Sequence, residues 1–255
     1  MAKPAGSACN LDCAYCFYLS KRVLPGGPGS GHMPDEVLER FVKDYIDSVT
    51  SDEVVFSWQG GEPTLLGLEF FEKVVTLQAK HAKPGQRIEN DLQTNGTLLD
   101  DDWARFLKQH RFLVGLSIDG PREIHDHCRI TKHAEPTFDQ VFAAAKMLQK
   151  HGVRFNTLTC VHRYNASRPL DVYRFLRREI GSTYIQFIPI VEIRGFENMA
   201  PGTWDEAKLP MLGDPRCHPD HPESVVTPWS VAAEEYGYFL SKIWDEWQAR
   251  DVGKV

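Results

Sequence analysis

Three cysteines stand close together near the start of the chain, in the stretch ACNLDCAYCFY. Cys9, Cys13 and Cys16 follow the spacing C-x3-C-x2-C. Thiolates are ligands of zinc and of iron–sulfur clusters. A structural zinc site needs four protein ligands, typically from C-x2-C pairs, and the sequence has no second C-x2-C. Three thiols on one short loop suit three corners of a four-iron cluster and leave the fourth iron open to a small molecule.

The other three cysteines, Cys128, Cys160 and Cys217, are scattered along the chain. The opening residues, MAKPAGSACN, lack the apolar core of a signal peptide, which indicates a cytoplasmic chain in a reducing compartment. Disulfide bonds are rare there, so metal or iron–sulfur ligation is the better interpretation of the clustered thiols. A zinc site in PRCHPDH, from Cys217, His218 and His221, is a weaker alternative because a closed structural site needs a fourth ligand.

Polar and glycine-rich turns follow several of the predicted strands. Gly60, Gly61 and Glu62 lie in QGGEP, where glycine lets the backbone come close to a ligand. The stretches LQTNG, LSIDG and FIPIVE also place polar or turn residues where strands end. Ligands bind at the carboxyl ends of the strands in (β/α) barrels, so these turns are candidates for a binding site. Within LSIDG, Ser117 is a candidate ligand contact, whereas Asp119 is expected to cap its own turn.

The chain that must position these residues alternates short apolar runs with amphipathic helical patterns. This alternation predicts parallel strands joined by right-handed crossovers, in a doubly wound sheet or a (β/α) barrel. A strand is also expected before the cysteine loop, but only MAKPA is available, so the first strand is short or missing. The predicted strands are 53–58, 87–94, 112–119, 153–161 and 184–192. The predicted helices are 34–49, 67–82, 100–110, 137–152, 169–180 and 230–251.

The alternation of strands and helices ends at Glu192. Residues 1–192 are therefore predicted to form the barrel. Residues 193–255 are predicted to form an irregular segment, rich in Pro, Gly and Asp over 195–228, and then a C-terminal helix that packs on the core.

Composition limits the classes of partner. The chain is 42% hydrophobic and 25% charged, as is usual for a globular protein. Its net charge of -6 argues against a general binder of nucleic acid or of membrane surfaces, since such proteins are usually basic. No apolar run approaches the ~20 residues that a membrane span needs.

Five stretches of the sequence resemble the anaerobic sulfatase-maturating enzymes, a subgroup of the radical S-adenosylmethionine (SAM) superfamily. They are KPAGSACNLDCAYCFY, FSWQGGEPTLLGLEFFEKVV, LQTNGTLLDDDWARFL, FLVGLSIDGPREIHD and IQFIPIVE, and the likeness runs from Lys3 to about Trp247. The resemblance implies an α/β fold, the partial (β/α)6 barrel of the radical SAM type, in which Cys9, Cys13 and Cys16 hold a [4Fe-4S] cluster. The positions implied to contact SAM are Tyr15, Gly60, Gly61, Glu62, Ser117, Arg129 and Val191.

The same resemblance implies an oxidation of protein side chains. In that family the reduced cluster cleaves SAM, and the resulting radical removes a hydrogen atom from the β-carbon of a cysteine or serine in a sulfatase. A base takes the thiol or hydroxyl proton and a second electron leaves, which gives Cα-formylglycine. The implied partners are the sulfatase polypeptide and an electron donor such as flavodoxin or ferredoxin. The base is unknown, although Asp119 and Glu192 lie at strand ends.

Such enzymes continue into a cysteine-rich C-terminal region, the SPASM domain, with two auxiliary [4Fe-4S] clusters and a catalytic acidic residue. The 255 residues do not contain that region, so the base is expected outside them. Two alternatives stay open for the core. One is another peptide-modifying radical SAM reaction, such as thioether crosslinking, and the other is a fragment that binds SAM without peptide turnover.

Overall fold

The computed structural model describes residues 1–16, 18, 32–195, 210–211 and 213–255. Helices and strands alternate through this part of the chain, as the hydrophobic pattern predicts. The strands are β1 (Glu53–Trp58), β2 (Arg87–Thr94), β3 (Leu113–Ser117), β4 (Arg154–Val161) and β5 (Ile185–Pro189). The α-helices are α1 (Asp35–Ser48), α2 (Leu68–His81), α3 (Asp101–Gln109), α4 (Arg122–Cys128), α5 (Phe138–His151), α6 (Arg163–Ala166), α7 (Pro169–Arg174) and α8 (Ala233–Arg250). A π-helical turn, Phe175–Ile180, continues α7.

One sheet contains the five strands in the order β1-β2-β3-β4-β5, which is also their order in the chain. β2 runs parallel to β1 and to β3, and β4 runs parallel to β5. At least one helix follows each of the first four strands, because parallel neighbours need a long crossover connection. The predicted α/β class with parallel strands is therefore confirmed.

The chain divides into two compact units, and the first has an aromatic core. It comprises Met1–Asn10, Gly27–Ser117 and Gln140–Asn156. Trp58 on β1 and Phe71 on α2 meet edge to face with ring centroids 5.9 Å apart, and Phe71 meets Phe112 in the same way at 6.3 Å. All three side chains are fully buried. The edge-to-face geometry suits the ring quadrupoles and adds to the stabilisation from burial.

In the second unit the C-terminal helix packs on the preceding strand and helix. It comprises Leu11–Gly26, Ile118–Asp139 and Thr157–Val255. On α8, Phe239 contacts Phe187 of β5 with ring centroids 5.2 Å apart. Arg174 of α7 donates to both carboxylate oxygens of Glu246 on α8, each at 3.0 Å. The C-terminal helix thus packs on the strand and the helix that precede it, while the predicted domain boundary after residue 192 stays a prediction.

The first strand of the predicted barrel is reduced to a single residue. Ala2 forms an isolated parallel bridge with Trp58. Its N–H donates to the Ser57 carbonyl at 2.8 Å, and the Gln59 N–H donates to the Ala2 carbonyl at 3.0 Å. The prediction of a short first strand is confirmed, and this bridge fixes the segment before the cysteines beside the end of β1.

The predicted irregular segment lies partly outside the described residues, at 196–209 and 212. Within the described part, Pro215–Cys217 forms a short 3-10 helix, and Ile193 forms an isolated antiparallel bridge with Val226. Among the helices of the described ranges, none has both the length and the apolar character that crossing a membrane requires.

Candidate functional site

The cysteine loop is shaped by hydrogen bonds of its backbone. The Ala14 N–H donates to the Cys128 carbonyl at 2.9 Å, and the Cys16 N–H donates to the Cys13 carbonyl at 2.9 Å, which closes a turn. Cys13 is buried, whereas Cys9 and Cys16 are half-buried. All six cysteines of the chain are free thiols. The loop therefore presents three cysteines that form no disulfide bond, on a backbone held by hydrogen bonds.

The glycine turn after β1 packs against the segment that leads into the cysteine loop. The Gly61 N–H donates to the Gly6 carbonyl at 2.9 Å, and the Glu62 N–H donates to the Ala8 carbonyl at 2.7 Å. A Cβ at Gly61 would lie 2.0 Å from the Ala8 carbonyl oxygen, and Gly60 has a φ of 127°. Both positions need glycine for these reasons. The close approach that the structure shows is to the chain's own N-terminal segment, and a SAM contact here stays a prediction.

The Glu62 carboxylate is buried at the ends of β1 and β2. Oε1 accepts hydrogen bonds from the Thr64 N–H at 3.0 Å, the Thr64 hydroxyl at 2.6 Å and the Thr94 hydroxyl at 2.7 Å, and Oε2 accepts from the Asn95 N–H at 2.7 Å. Burial raises the pKa of Glu62, and these four hydrogen bonds oppose the rise. Within the described ranges no cation pairs with this carboxylate, so neutral donors alone hold it between the two strand ends.

Asn95, which directly follows β2, connects this strand end to the first cysteine. Its Nδ2 lies 3.8 Å from Cys9 Sγ, within hydrogen-bond reach of a sulfur, and 2.9 Å from Asn10 Oδ1. The stretch LQTNG indicates a strand-end turn from sequence, but nothing in it assigns Asn95 to the cysteine loop.

Three residues of the second unit donate hydrogen bonds to the carboxylate of Asp119. Arg129 donates twice, from Nε to Oδ2 at 2.9 Å and from Nη2 to Oδ1 at 3.2 Å. The Cys160 N–H donates to Oδ1 at 3.0 Å, and the Tyr15 hydroxyl donates to Oδ2. The sequence-based expectation that Asp119 caps its own turn is wrong, because all of these donors come from outside LSIDG and their contacts form only in the folded unit.

The charges of Asp119 and Arg129 stabilise each other. Burial is the largest single influence on the pKa of Asp119 and would raise it, but the charge and hydrogen bonds of Arg129, together with His162 and His125, bring the pKa below its ordinary value. Burial opposes the charge of Arg129 as well, yet the Asp119 carboxylate holds its pKa well above the ordinary value. Burial raises the pKa of Tyr15, which therefore stays a neutral donor. The interior thus holds an ion pair with a phenol hydrogen-bonded to it.

His162, directly after β4, lies beside this group. Its ring stacks on Tyr15 with centroids 5.2 Å apart and is fully buried. Neither ring nitrogen has a hydrogen-bond partner among the residues that the structure describes. Burial lowers the pKa of His162 to about 4, so the ring is neutral near pH 7. His162 is not marked by any motif in the sequence, and its place at a strand end is the signal that indicates it.

The predicted SAM contacts divide between the two units. Tyr15 and Arg129 lie together in the second, with the guanidinium carbon 5.6 Å from the centroid of the phenol ring. Val191 also belongs to the second unit and is 63% exposed beyond β5. Ser117 ends β3 in the first unit and is buried. Their contacts with SAM stay predictions.

The donor set at the start of the chain fits an iron–sulfur cluster. Among the described residues, no three His, Cys, Asp or Glu side chains are placed to share one metal ion. A four-iron cluster does not require such convergence, because each cysteine binds a different iron. Cys9, Cys13 and Cys16 lie on one short loop and form no disulfide bonds, and an amide nitrogen faces the sulfur of Cys9. These are suitable donors for iron.

The contacts of Cys217, His218 and His221 give less support to the alternative zinc site. His218 Nε2 lies 3.0 Å from a carboxylate oxygen of Glu234, and His221 Nδ1 accepts from the Glu223 N–H at 3.1 Å. Cys217 is exposed, with its Sγ 3.8 Å from the Met211 carbonyl oxygen. These side chains have partners in the chain and do not form a three-ligand group within the described ranges.

Comparison with known proteins agrees with iron–sulfur chemistry. The family model of the radical SAM superfamily matches residues 4–176. A serine-type anaerobic sulfatase-maturating enzyme from Bacteroides thetaiotaomicron is 42% identical over 254 residues, covering 100% of this chain and 58% of that protein. A cysteine-type anaerobic sulfatase-maturating enzyme from Clostridium perfringens is 45% identical over 214 residues, covering 82% of this chain and 57% of that protein. The chain thus spans somewhat more than half the length of these relatives.

Solved structures share the fold. The structure described as native anSMEcpe with bound AdoMet and Cp18Cys peptide matches with a TM-score of 0.78 and 37% identity, over 98% of this chain and 60% of that one. Streptococcus suis SuiB bound to S-adenosylmethionine matches with a TM-score of 0.65 and 14% identity, over 98% of this chain and 47% of that one, and shows the fold alone. The predicted partial barrel of the radical SAM type is confirmed by the first match.

Proposed function

We propose that this chain, which belongs to the radical SAM superfamily, is the core of an enzyme that oxidises a cysteine or serine of a sulfatase to formylglycine. The superfamily uses a [4Fe-4S] cluster and SAM. In the proposed site the thiolates of Cys9, Cys13 and Cys16 hold the cluster. Relatives of the serine type and of the cysteine type are about equally similar to the chain, so the proposal includes both target side chains.

The cysteine loop is the observation that carries the proposal. Its three cysteines form no disulfide bonds, and its backbone is ordered by the Glu62 N–H bond to the Ala8 carbonyl before it and by the Ala14 N–H bond to the Cys128 carbonyl within it. An ordered loop reduces the conformational entropy that ligation would otherwise have to overcome. These features support a site that accepts a cluster with little rearrangement of the backbone.

The chemistry of the cofactors accounts for the proposed oxidation. When bound, the reduced cluster and SAM supply a radical that removes a hydrogen atom from the β-carbon of the substrate. For serine, loss of that hydrogen atom, of the hydroxyl proton and of one further electron, which passes to an electron acceptor such as an iron–sulfur cluster, gives the aldehyde. For cysteine, the corresponding losses give a thioaldehyde, which water converts to the aldehyde with release of hydrogen sulfide. The remaining tasks, binding and orientation, fall to side chains and backbone of the protein.

Arg129 is suited to bind the SAM carboxylate without leaving Asp119. Asp119 occupies Nε and one hydrogen of Nη2, while Nη1 donates to no other residue of the described ranges. Because a guanidinium carries five donors in a fixed plane, its Nη1 side can bind a second carboxylate while Asp119 keeps the first position. The other SAM contacts in the proposal are Tyr15, Gly60, Gly61, Glu62, Ser117 and Val191.

Neither carboxylate at a strand end is assigned as the base that takes the substrate proton. Asp119 is fully buried, bound to Tyr15 and Arg129, and has a lowered pKa, which makes it a weak base. Glu192 accepts a hydrogen bond from Trp229 Nε1 at 3.1 Å. Both carboxylates are therefore engaged with partners inside the chain.

The proposed reaction also needs an electron donor and a reducing compartment. The cluster has to be reduced, and a small electron carrier of the flavodoxin or ferredoxin class is the proposed donor. A reducing compartment would keep all six cysteines as thiols, which is their state in the structure, so the cytoplasm is the proposed location.

Anaerobic reconstitution with iron and sulfide tests the proposed function. The protein is incubated with SAM, a strong reductant and peptides that carry the sequence of a sulfatase active site, with either cysteine or serine at the target position. We expect 5′-deoxyadenosine in solution, and mass spectrometry of the peptide shows whether residues 1–255 also convert the thiol or hydroxyl to an aldehyde. The variant Cys13→Ala should give neither product. SAM cleavage without any peptide oxidation would contradict sulfatase maturation by this chain, and loss of both products in the wild type would overturn the whole proposal.

A further inference from the structure

The orientation of the Asn95 side-chain amide is fixed by a small network at the end of β2. Its Oδ1 accepts from the Thr97 N–H at 3.0 Å and from the Thr97 hydroxyl at 2.7 Å. Asn10 Nδ2 donates to the same hydroxyl at 2.8 Å. Because Oδ1 must be the acceptor of two donors, Nδ2 must be the atom that faces Asn10 Oδ1 at 2.9 Å and Cys9 Sγ at 3.8 Å.

The network leaves one hydrogen of the Asn95 amide for the sulfur. The Thr97 hydroxyl donates to Asn95 and accepts from Asn10, and one hydrogen of Asn95 Nδ2 goes to Asn10 Oδ1. The second hydrogen of Nδ2 remains for Cys9 Sγ. Asn95 is 6% exposed, so water competes little for that hydrogen. The amide is thus held in place as a donor to the sulfur by contacts that do not involve the sulfur.

Deprotonation of Cys9 makes this donor more important. As a thiol, Cys9 also lies 3.9 Å from Asn10 Oδ1 and can donate weakly to it. A metal-bound cysteine is a thiolate, which has no proton to donate and only accepts. The N–H of Asn95 then complements the charge on the sulfur, whereas Asn10 Oδ1 does not.

We infer that Asn95 is a positioning residue, which acts on the cluster through its hydrogen bond to the sulfur of Cys9. This hydrogen bond favours the reduced state of the cluster. This inference rests on the proposed function, in which Cys9 holds one iron. Hydrogen bonds to the sulfur ligands are among the factors that set the reduction potential of a cluster. A donor stabilises the more negatively charged, reduced form more strongly than the oxidised form, so it raises the potential. Raising the potential makes electron entry from the donor protein easier.

The test is a redox titration of the reconstituted full chain, followed by the EPR signal of the reduced cluster. The variant Asn95→Asp keeps an Oδ1 acceptor for Thr97 and a similar size but replaces the N–H donor with an oxygen. We expect a cluster of unchanged iron content with a lower midpoint potential. The matched control, Thr97→Val, removes the hydroxyl but keeps the Thr97 N–H that orients Asn95, and its potential should stay close to that of the wild type.

A second measurement uses only the wild-type protein, in case Asn95→Asp does not fold. With the asparagine side chains labelled with ¹⁵N, pulsed EPR of the reduced cluster should detect a weak coupling to a nitrogen near Cys9. Equal potentials in wild type and Asn95→Asp, or absence of the coupling, would overturn the inference while the cluster itself still supports the proposed function. A wild-type protein that takes up no iron–sulfur cluster would overturn both.

Discussion

Arg129 binds the carboxylate of Asp119 with two donors, at 2.9 Å from Nε to Oδ2 and at 3.2 Å from Nη2 to Oδ1, in a fully enclosed part of the second unit. Both residues are buried, and Tyr15 donates to the same carboxylate. Two buried charges that satisfy each other contribute little net stability, but removing one leaves the other without compensation. The pair therefore fixes the positions of Tyr15 and Arg129 more than it stabilises the fold.

The variant Asp119→Asn tests this role. Asparagine keeps the shape but removes the negative charge, so the buried guanidinium loses its counter-charge. We expect the free energy of unfolding in urea to fall by about 3–5 kcal/mol. In the same protein, the affinity for SAM should decrease because Tyr15 and Arg129 are no longer held in place.

Asp139→Asn provides the matched control for this ion pair. Asp139 accepts from Arg122 Nη1 at 2.8 Å, but both side chains are more than half exposed to solvent. Exposed pairs of this kind contribute little to stability, so the control should unfold at nearly the urea concentration of the wild type. If Asp119→Asn and Asp139→Asn lost equal amounts of unfolding free energy, the buried Asp119–Arg129 pair would be no more important for stability than an exposed pair.

Gly61→Ala should disturb the segment before the cysteine loop. The added Cβ would lie 2.0 Å from the Ala8 carbonyl oxygen, a backbone atom that cannot turn aside like a side chain. We expect a loss of about 1–3 kcal/mol in the free energy of unfolding, as for overpacking elsewhere, and a lower iron content after reconstitution.

The matched control for that glycine is Gly237→Ala, within α8. No atom lies within 4 Å of the Cβ that this substitution would add. Alanine is favoured over glycine in a helix by up to about 1 kcal/mol, so this variant should be slightly more stable than the wild type and load iron normally. If Gly61→Ala were as stable as the wild type and took up as much iron, the close approach of Gly61 to the Ala8 carbonyl would be contradicted.

The elements of the fold follow closely from the sequence. The pattern predicts strands at 53–58 and 87–94, and the structure has β1 and β2 with those bounds. The reason is that buried parallel strands are marked by apolar runs between turn residues. Helix α4, Arg122–Cys128, was not predicted, because its seven residues are too few to show an amphipathic period.

The site was predicted less completely than the fold. Cys9, Cys13 and Cys16 are recognisable because their spacing alone carries the chemistry. The roles of Asp119 and Asn95 depend on partners that folding brings to them from distant parts of the sequence, such as Tyr15 for Asp119. Local reasoning favours a turn cap for such residues, since that role needs only neighbouring atoms.

Cys16→Ala should abolish the iron–sulfur cluster but not the fold. Cys16 is half-buried, so replacing its thiol with a methyl group leaves only a small defect in packing. We expect loss of the visible absorption of the reconstituted cluster and a strongly reduced iron content, with an unchanged far-UV circular dichroism spectrum. Cys217→Ala, at an exposed cysteine outside the loop, should retain both iron and colour. Full iron content in Cys16→Ala would contradict its assignment as a ligand.

His162 should make the stability of the protein depend on pH between about 6.5 and 4. Its pKa is lowered from 6.5 to about 4, chiefly by burial, with Asp119, Arg129 and His127 as the charged or titratable groups that act on it. Above pH 6.5 the ring is neutral in the folded and in the unfolded protein. As the pH falls below 6.5, the unfolded chain binds a proton at this residue and the folded protein does not, so the free energy of unfolding falls. The contribution is lost by about pH 4 and amounts to about 3 kcal/mol in all.

The variant His162→Asn isolates that contribution. Asparagine does not titrate in this range and is a good residue at a helix N-cap, the place that His162 holds before α6. Loss of the ring that stacks on Tyr15 should lower the stability at every pH, but the curve of unfolding free energy between pH 6.5 and 4 should be flatter than that of the wild type. The measurement is a series of urea titrations across this range, with His133→Asn, at an exposed position, as the control whose curve should follow the wild type. Parallel curves for wild type and His162→Asn would show that the buried ring takes up its proton as readily as an exposed one.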